Sequence, residues 1–280
     1  MKHGIAAFVT DASTSPVVLA KEVEDRGFES LWLPEHSHLP RAGGADSPEV
    51  YAHLYDQFIA LAAAATVTTR LNLATGVSLI AQRDPIYTAK QVASLDHLSR
   101  GRVLLGVGAG SNRTEMVHHG VDPVTRMARL AEHVKAMKAL WDDTPAGFTG
   151  KFTGFAESIS YPKPARKPHP PVLVGGMGPG VEDRVLDFGD AWLPIRVPRQ
   201  EAGRFKVRVA ALQRKAAECG RAPIPVTLME AESGPAAIEA YRDAGIERVV
   251  HLIRDTHQSA LLKRLDALAA ATEGGASDDA

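Results

Sequence analysis

Residues 71–110 read LNLATGVSLIAQRDPIYTAKQVASLDHLSRGRVLLGVGAG and contain two apolar, β-like segments separated by a helical one. The segments at 71–79 and 103–107 have the aliphatic character of buried strands. Between them, Asp84 places a capping oxygen directly before Pro85, which suits the first position of a helix. This order of strand, helix and strand predicts a βαβ unit with parallel strands.

The same alternation runs through the rest of the chain. We predict eight strands, at residues 4–9, 30–33, 71–79, 103–107, 172–175, 191–193, 225–228 and 248–252. Ser15-Pro16 and Asp122-Pro123 predict two further helix starts. Apolar stripes at helical spacing predict which faces lie on the sheet: Met127, Leu130, Val134, Met137 and Trp141; Phe205, Val209, Leu212 and Ala216; Leu261, Leu265 and Leu268. Eight such units fit a (β/α)8 TIM barrel better than an open doubly wound sheet.

Two irregular segments interrupt the predicted barrel. Residues 142–171 are rich in Gly, Pro and Phe and indicate an insertion with a small hairpin, and residues 34–53 form a long loop after the second strand. We therefore expect one α/β barrel domain over residues 1–272 with inserted loops, and a disordered tail at 273–280. Loops at the carboxyl ends of barrel strands are where this fold holds its chemistry.

Composition favours small-molecule chemistry. The 280 residues carry 32 Lys+Arg against 33 Asp+Glu, a net charge of −1, so no strong field attracts nucleic acid or an anionic membrane. The single cysteine, Cys219, cannot form an intramolecular disulfide. The apolar runs fall short of the roughly 20 residues that a membrane span needs. We expect a cytoplasmic protein with a small-molecule substrate and neither nucleic acid nor membrane as partner.

The second strand leads into LPEHSH at 33–38, which brings a carboxylate and two imidazoles to the barrel mouth. His36 could hold or donate a proton near neutral pH, with Glu35 beside it. His36 and His38 also have the spacing of a two-histidine metal site, but no clear further ligands stand at the ends of the middle strands. We predict no metal ligand, and a metal-dependent barrel hydrolase remains an alternative.

Two glycine-rich turns follow the fourth and fifth strands, GVGAGSN at 106–112 and GGMGPG at 175–180. The first lacks the pattern of a dinucleotide fingerprint, yet it lets backbone approach a flat ligand closely. The second leads into a predicted helix, whose unpaired amides and dipole favour an anion such as phosphate. Together with the histidine loop, these turns indicate a planar cofactor that carries phosphate.

These segments resemble the luciferase-like monooxygenase family, in its branch of coenzyme F420-dependent oxidoreductases. The resemblance spans residues 28–253. Its most specific segments are LWLPEH at 31–36, TGVSL at 75–79, RDP at 83–85, SRGR at 99–102, LGVGAG at 105–110, PHPPVLVGG at 168–176 and GDAWLP at 189–194.

The resemblance implies a barrel that binds a deazaflavin or flavin at the carboxyl ends of its strands. His36 would stand next to the reactive ring, and Glu35 would help to orient it. A non-prolyl cis peptide behind the ring would fall at Ser78-Leu79. By the same resemblance, Ala109, Gly110 and Ser111 would line the ring, and Gly175, Gly176 and Gly178 would hold the phosphate. Many relatives are dimers, so a homodimer is the implied assembly.

Three departures from the family pattern bear on the cofactor. Glu35 stands where many relatives carry Asp, Met177 stands where Asn or Ser is common, and no lysine is placed to clamp an acidic tail. The expected function is hydride transfer between coenzyme F420 and an organic substrate, with an FMN-dependent monooxygenase as its close alternative. A protein that sequesters deazaflavin without turnover is a further hypothesis.

Overall fold

The computed structural model describes residues 1–41, 48–142, 144–254 and 257–273. The strands are β1 (Lys2–Ala7), β2 (Ser30–Leu33), β3 (Asn72–Leu79), β4 (Val103–Gly108), β5 (Ala146–Thr149), β6 (Gly154–Ser158), β7 (Val172–Gly175), β8 (Ala191–Leu193), β9 (Thr227–Met229) and β10 (Arg248–Ile253). The predicted tail lies, apart from Glu273, outside the described residues.

Helices surround the strands in alternation with them. They are α1 (Pro16–Asp25), α2 (Gln57–Ala65), α3 (Pro85–Leu98), α4 (Arg113–His118), α5 (Arg126–Trp141), α6 (Val181–Phe188), α7 (Ala202–Glu218), α8 (Pro235–Asp243) and α9 (Gln258–Glu273). Short 3-10 turns occur at Glu49–His53, Ile80–Gln82 and Arg199–Glu201. Across the described ranges, none of the helices is both long and apolar enough for a membrane crossing.

Eight parallel strands form a nearly closed (β/α)8 TIM barrel, which confirms the predicted fold class. Their order is β8-β7-β4-β3-β2-β1-β10-β9. Within the described residues, β8 and β9 meet through isolated bridges, Trp192 to Val226 and Ile195 to Met229. The antiparallel β5–β6 hairpin lies between α5 and β7, inside the irregular segment at 142–171.

Two local predictions differ from the structure in position. The seventh barrel strand begins at Thr227 rather than at 225, because Pro225 has no N–H to donate and takes part only through its carbonyl, which accepts from Trp192 N at 2.9 Å. The helix predicted at Asp122-Pro123 begins at Arg126 instead. Asp122 forms a local turn there, since its Oδ1 accepts from Val124 N at 2.9 Å. The caps at Ser15 and Asp84 are confirmed.

The alternation of side chains along each strand decides which residues fill the barrel interior, and Trp32 is the largest of them. On β2, Leu31 and Leu33 pack outward with the helices, whereas Trp32 enters the inner cluster with Ala6 and Met229. Residue 4 must be glycine beside Trp32, since a Cβ there would lie 2.5 Å from Ser30 Oγ and 2.9 Å from the indole nitrogen. This inner cluster forms the floor beneath the open end of the barrel.

Three strands are tied together at their amino-terminal ends by a partly buried ion pair. The Arg248 guanidinium donates twice to the Glu29 carboxylate, at 2.7 and 2.8 Å, and once to Thr227 Oγ1 at 3.0 Å. Burial raises the pKa of the Glu29 carboxyl, but the pairing with Arg248 outweighs burial and holds the pKa below its ordinary value. The ionised carboxylate therefore stabilises the barrel base.

We expect Glu29→Gln to lower the free energy of unfolding by about 1–3 kcal/mol at neutral pH, because Arg248 loses its charged partner. A carboxyl group whose pKa is lower in the folded protein than in the unfolded protein stabilises the fold at pH values above its unfolded-state pKa. This stabilisation is lost as the pH falls through the folded-state pKa. The difference between Glu29→Gln and the unsubstituted protein should therefore shrink near pH 3. Urea unfolding of both proteins at the two pH values measures this, and a difference independent of pH would contradict it.

Candidate active site

A cavity of about 380 Å³ opens at the carboxyl ends of the barrel strands. Its lining combines glycine and alanine backbone with larger apolar side chains. Its lining is Ala6, Phe8, Pro34, Glu35, His36, Tyr51, Gly76, Val77, Leu79, Gly108, Ala109, Gly110, Ser111, Met127, Gly175, Gly176, Leu193, Ile195, Arg196, Met229, Glu230 and Leu252. This lining suits a flat molecule pressed against backbone and covered by apolar groups.

The imidazole of His36 is held on two sides. Its Nδ1 lies 2.8 Å from Glu115 Oε2, and its ring stacks on Tyr51 with centroids 4.5 Å apart and an interplanar angle of 18°. A carboxylate can only accept a hydrogen bond, so Nδ1 carries the hydrogen and Nε2 is the basic nitrogen of the neutral ring. Nε2 hydrogen-bonds to none of the described residues, so it is available to a bound molecule.

Glu115 is the buried partner that fixes this loop. Its side chain is 1 % exposed, and its Oε1 accepts from Ser37 N at 3.1 Å while Oε2 accepts from His36. Burial raises the pKa of the Glu115 carboxyl, but the hydrogen bonds from His36 and Ser37 outweigh burial and hold the pKa below its ordinary value. An ionised Glu115 keeps the imidazole oriented.

Glu35, predicted to orient the reacting group, has different partners. Its Oε2 accepts from Leu79 N at 2.5 Å and from the Ser78 hydroxyl at 3.1 Å, and its other oxygen pairs with Arg83. His36 donates its Nδ1 hydrogen bond to Glu115 and not to Glu35. Glu35 lines the cavity while it fastens the end of β2 to the end of β3.

The structure places most of the predicted cofactor residues around one cavity. Those that line it with Glu35 and His36 are Leu79, Ala109, Gly110, Ser111, Gly175 and Gly176. Ser78 lies outside the lining, since its fully buried hydroxyl bonds to Glu35 and accepts from Gln57 Nε2 at 3.0 Å. Gly178 also lies outside it, in the turn that follows β7.

The non-prolyl cis peptide lies at Gly76-Val77, so its expected position at Ser78-Leu79 was wrong by two residues. The pairing of β3 with β4 shifts register between Thr75 and Ser78, which makes this the irregular part of the strand. Gly76 and Val77 both line the cavity. Normal pairing resumes at Ser78, which is therefore part of the regular ladder.

The turn between β7 and α6 offers backbone donors. Within the described part of the chain, the amides of Met177 and Gly178 donate to no protein acceptor. The first turn of α6 contains two acidic residues, but Glu182 pairs with Arg208 at 2.6 Å and Asp183 with Lys215 at 2.8 Å. The two amides can donate to an anion, and the two carboxylates would repel it little because Arg208 and Lys215 neutralise them.

The residues of the site that the sequence analysis did not assign to it include Glu115, Tyr51 and Met127. Asn112 and Glu115 have the three-residue spacing of a capping box, and Asn112 Oδ1 does accept from Glu115 N at 3.1 Å. That pattern would have located α4 but would have assigned the Glu115 side chain to the helix start. Met127, predicted to lie on the sheet, is 39 % exposed and lines the cavity.

A cluster of polar side chains adjoins His36 on the side of α4. His38 Nδ1 and His119 Nε2 lie 2.8 and 2.6 Å from Ser37 Oγ, and His38 Nε2 lies 2.8 Å from His118 Nδ1. The ligand atoms of His38, Glu115 and His119 are within 4.8 Å of one another, close enough to hold a metal ion. The sequence analysis missed this grouping because it looked for ligands at strand ends, whereas two of them belong to α4 and the residue after it.

Comparisons with known proteins extend these observations. The family model for luciferase-like monooxygenase matches residues 10–279. The uncharacterized protein Rv0953c of Mycobacterium tuberculosis is 36% identical over 261 residues, which cover 89% of this chain and 91% of that protein. The F420-dependent glucose-6-phosphate dehydrogenase of Kineococcus radiotolerans is 29% identical over 177 residues, covering 62% of this chain and 50% of that enzyme.

Solved structures share the fold at low sequence identity. Monooxygenase RslO1 from Streptomyces bottropensis superposes with a TM-score of 0.82 at 20% identity, covering 98% of this chain and 99% of that one. An F420-dependent secondary alcohol dehydrogenase in complex with an F420-acetone adduct superposes with a TM-score of 0.77 at 18% identity and the same coverage. With a family match over nearly the whole length and a 36% identical relative, this chain belongs to the luciferase-like monooxygenase family.

Proposed function

We propose that this protein is an oxidoreductase that transfers a hydride between coenzyme F420 and an organic substrate. The observation that carries the proposal is a glycine-walled cavity into which the barrel delivers His36, with its Nδ1 fixed by the buried carboxylate of Glu115. The single cysteine among 280 residues supports a cytoplasmic location for this chemistry.

The residues around the cavity fit a planar cofactor with a phosphate. Ala109, Gly110 and Ser111 offer little side-chain bulk against a ring, and a Cβ at 110 would already meet Gln82 Nε2 at 2.6 Å. Cβ atoms built at Gly176 and Gly178 meet no heavy atom within 4 Å, so the space beside this turn is open. We assign the ring to the first group and the phosphate to the turn at 175–178.

Side chains of this protein would transfer the proton and exclude water from the reacting groups. A deazaflavin supplies the carbon that accepts or donates a hydride when it is bound. His36 Nε2 would take the proton from a substrate hydroxyl, or return it to a carbonyl oxygen, while Glu115 stabilises the charge on the imidazole. Apolar side chains such as Phe8, Met127 and Ile195 would exclude water from the cavity.

An FMN-dependent monooxygenase is the second candidate. Arg208 and Lys215, which lie near the turn after β7, are already paired with Glu182 and Asp183. Because both cations already have acidic partners, they are not free to bind the carboxylates of a long acidic tail. This favours a cofactor that ends in a phosphate. A fold shared with a monooxygenase of known structure is compatible with either cofactor.

The two candidates differ in their need for dioxygen. We expect the purified protein to oxidise reduced coenzyme F420 under anaerobic conditions when a carbonyl acceptor is supplied, because hydride transfer consumes no dioxygen. Absorbance of the deazaflavin measures this across a panel of ketones and enones, with reduced FMN plus air run in parallel. Turnover that requires FMN and air would support the monooxygenase, and tight F420 binding without turnover on any acceptor would support sequestration.

Matched substitutions at Gly178 test the phosphate assignment. We expect Gly178→Asp to weaken cofactor binding about tenfold or more, because it adds a negative charge beside the free amides. Gly178→Ala fills open space and keeps the amide, so its dissociation constant should change by less than about threefold. Fluorescence titration with coenzyme F420 and with FMN measures both variants, and equal affinities for Asp and Ala would refute the assignment.

Substitutions at the imidazole and its partner test the proton role. We expect His36→Ala to lower kcat by about 10²–10⁴ with little change in cofactor affinity, because it removes the proton carrier. Glu115→Gln should lower kcat by roughly 10–100-fold, since a neutral amide no longer fixes the Nδ1–H tautomer. His97→Ala, an exposed histidine on α3, is the control in single-turnover kinetics. An unchanged rate in His36→Ala would eliminate this role.

A further inference from the structure

We propose that His38, Glu115 and His119 form a binding site for one divalent transition-metal ion, with Zn²⁺ as the best match. The site lies beside the cavity, and His38 and His119 are not among the residues that line it. It is independent of the cofactor assignment, because none of its three ligands belongs to the ring or phosphate groups proposed above.

The three ligand atoms converge on one point. Ser37 Oγ occupies that point, at 2.8 Å from His38 Nδ1, 2.6 Å from His119 Nε2 and 3.3 Å from Glu115 Oε1. An ion at that point would need its ligands at about 2.0–2.2 Å. The two imidazole nitrogens would therefore move inward by less than about 1 Å and Glu115 Oε1 by slightly more than about 1 Å, while the serine hydroxyl turns aside or serves as a fourth ligand.

Two of the three ligands, His38 and Glu115, are oriented by a second group, as metal ligands commonly are. His38 Nε2 contacts His118 Nδ1 at 2.8 Å, and the two rings stack with centroids 5.1 Å apart, which leaves Nδ1 of His38 to face Ser37. Glu115 uses Oε2 for His36 and has Oε1 on the side of Ser37. The ion would therefore share this carboxylate with His36 without displacing it.

The donor set selects the kind of metal. Two imidazoles and one carboxylate are ligands for Zn²⁺, Co²⁺ and Ni²⁺, whereas Mg²⁺ and Ca²⁺ require mostly oxygen. Glu115 is buried while His119 is exposed, so one side of the site opens to solvent and can supply a water ligand. Three protein ligands with one open position is an arrangement that Zn²⁺ readily adopts.

A bound ion would join two separate parts of the barrel mouth. His38 belongs to the segment after β2, whereas Glu115 lies on α4 and His119 directly follows that helix. At present, hydrogen bonds through Ser37 hold these parts together. A metal would strengthen the same connection, so it should stabilise the folded protein increasingly as its concentration rises above its dissociation constant.

Titration of chelator-treated, tag-free protein with Co²⁺ tests the site. We expect one equivalent to bind with the visible absorption of a four- or five-coordinate ion, and Zn²⁺ to displace it. His38→Ala and His119→Ala should each weaken Co²⁺ binding at least about tenfold, whereas the exposed His97→Ala should bind as the unsubstituted protein does. His119 is exposed, so its replacement leaves the core intact.

Thermal unfolding gives an independent measurement. Zn²⁺ should raise the Tm of the unsubstituted protein and of His97→Ala but not that of His38→Ala or His119→Ala. No saturable binding of Co²⁺ or Zn²⁺, or equal binding in all four proteins, would overturn the proposal and leave the cluster as a hydrogen-bonded junction. Gly178→Asp should bind the metal normally, so failure of the cofactor assignment and failure of the metal site are distinguishable.

Discussion

A single buried carboxylate, that of Glu115, organises the mouth of this barrel. An ionised group with 1 % exposure is stable only if its oxygens receive hydrogen bonds, and here His36 and Ser37 provide them. The segment after β2 is thereby fixed to α4, and the imidazole acquires a defined tautomer. The cavity wall, the proposed proton carrier and the proposed metal site all depend on this one group.

The repetition of apolar segments and helix caps was sufficient to predict the barrel. The eight barrel strands are largely buried on both faces, so each reads as an apolar run that periodicity and length can locate. The predicted starts of one strand and one helix were wrong, because a local interaction competes there with the strand or the helix. Pro225 cannot donate to a ladder, and Asp122 satisfies a local turn before the helix begins. Neither outcome changes the topology, because the hydrophobic pattern on either side is unaffected.

The site was predictable only in part, because loops and side-chain directions depend on tertiary contacts. Parallel strands bring their carboxyl ends to one edge, so the histidine loop and both glycine turns could be placed at one mouth from sequence. The residue that accepts the hydrogen bond of His36 could not be predicted from the sequence. Glu35 adjoins it in the chain, yet the Glu35 carboxylate bonds to Leu79 and Ser78 of β3. Glu115 is 79 residues away and becomes its neighbour only when α4 packs beside the segment that follows β2.

The weak pairing between β8 and β9 makes this side of the barrel mouth more tolerant of sequence changes than the opposite side. Isolated bridges join these strands, and the residues just beyond them, including Arg196 and Glu230, line the rim of the cavity. A loop inserted or lengthened there would disturb few ladder hydrogen bonds, whereas β2, β3 and β4 are joined by ladder pairing on either side of the register shift between Thr75 and Ser78, and this side holds the fixed imidazole. Sequence changes at this half of the rim could therefore alter which molecules the cavity admits while the half that holds His36 stays unaltered.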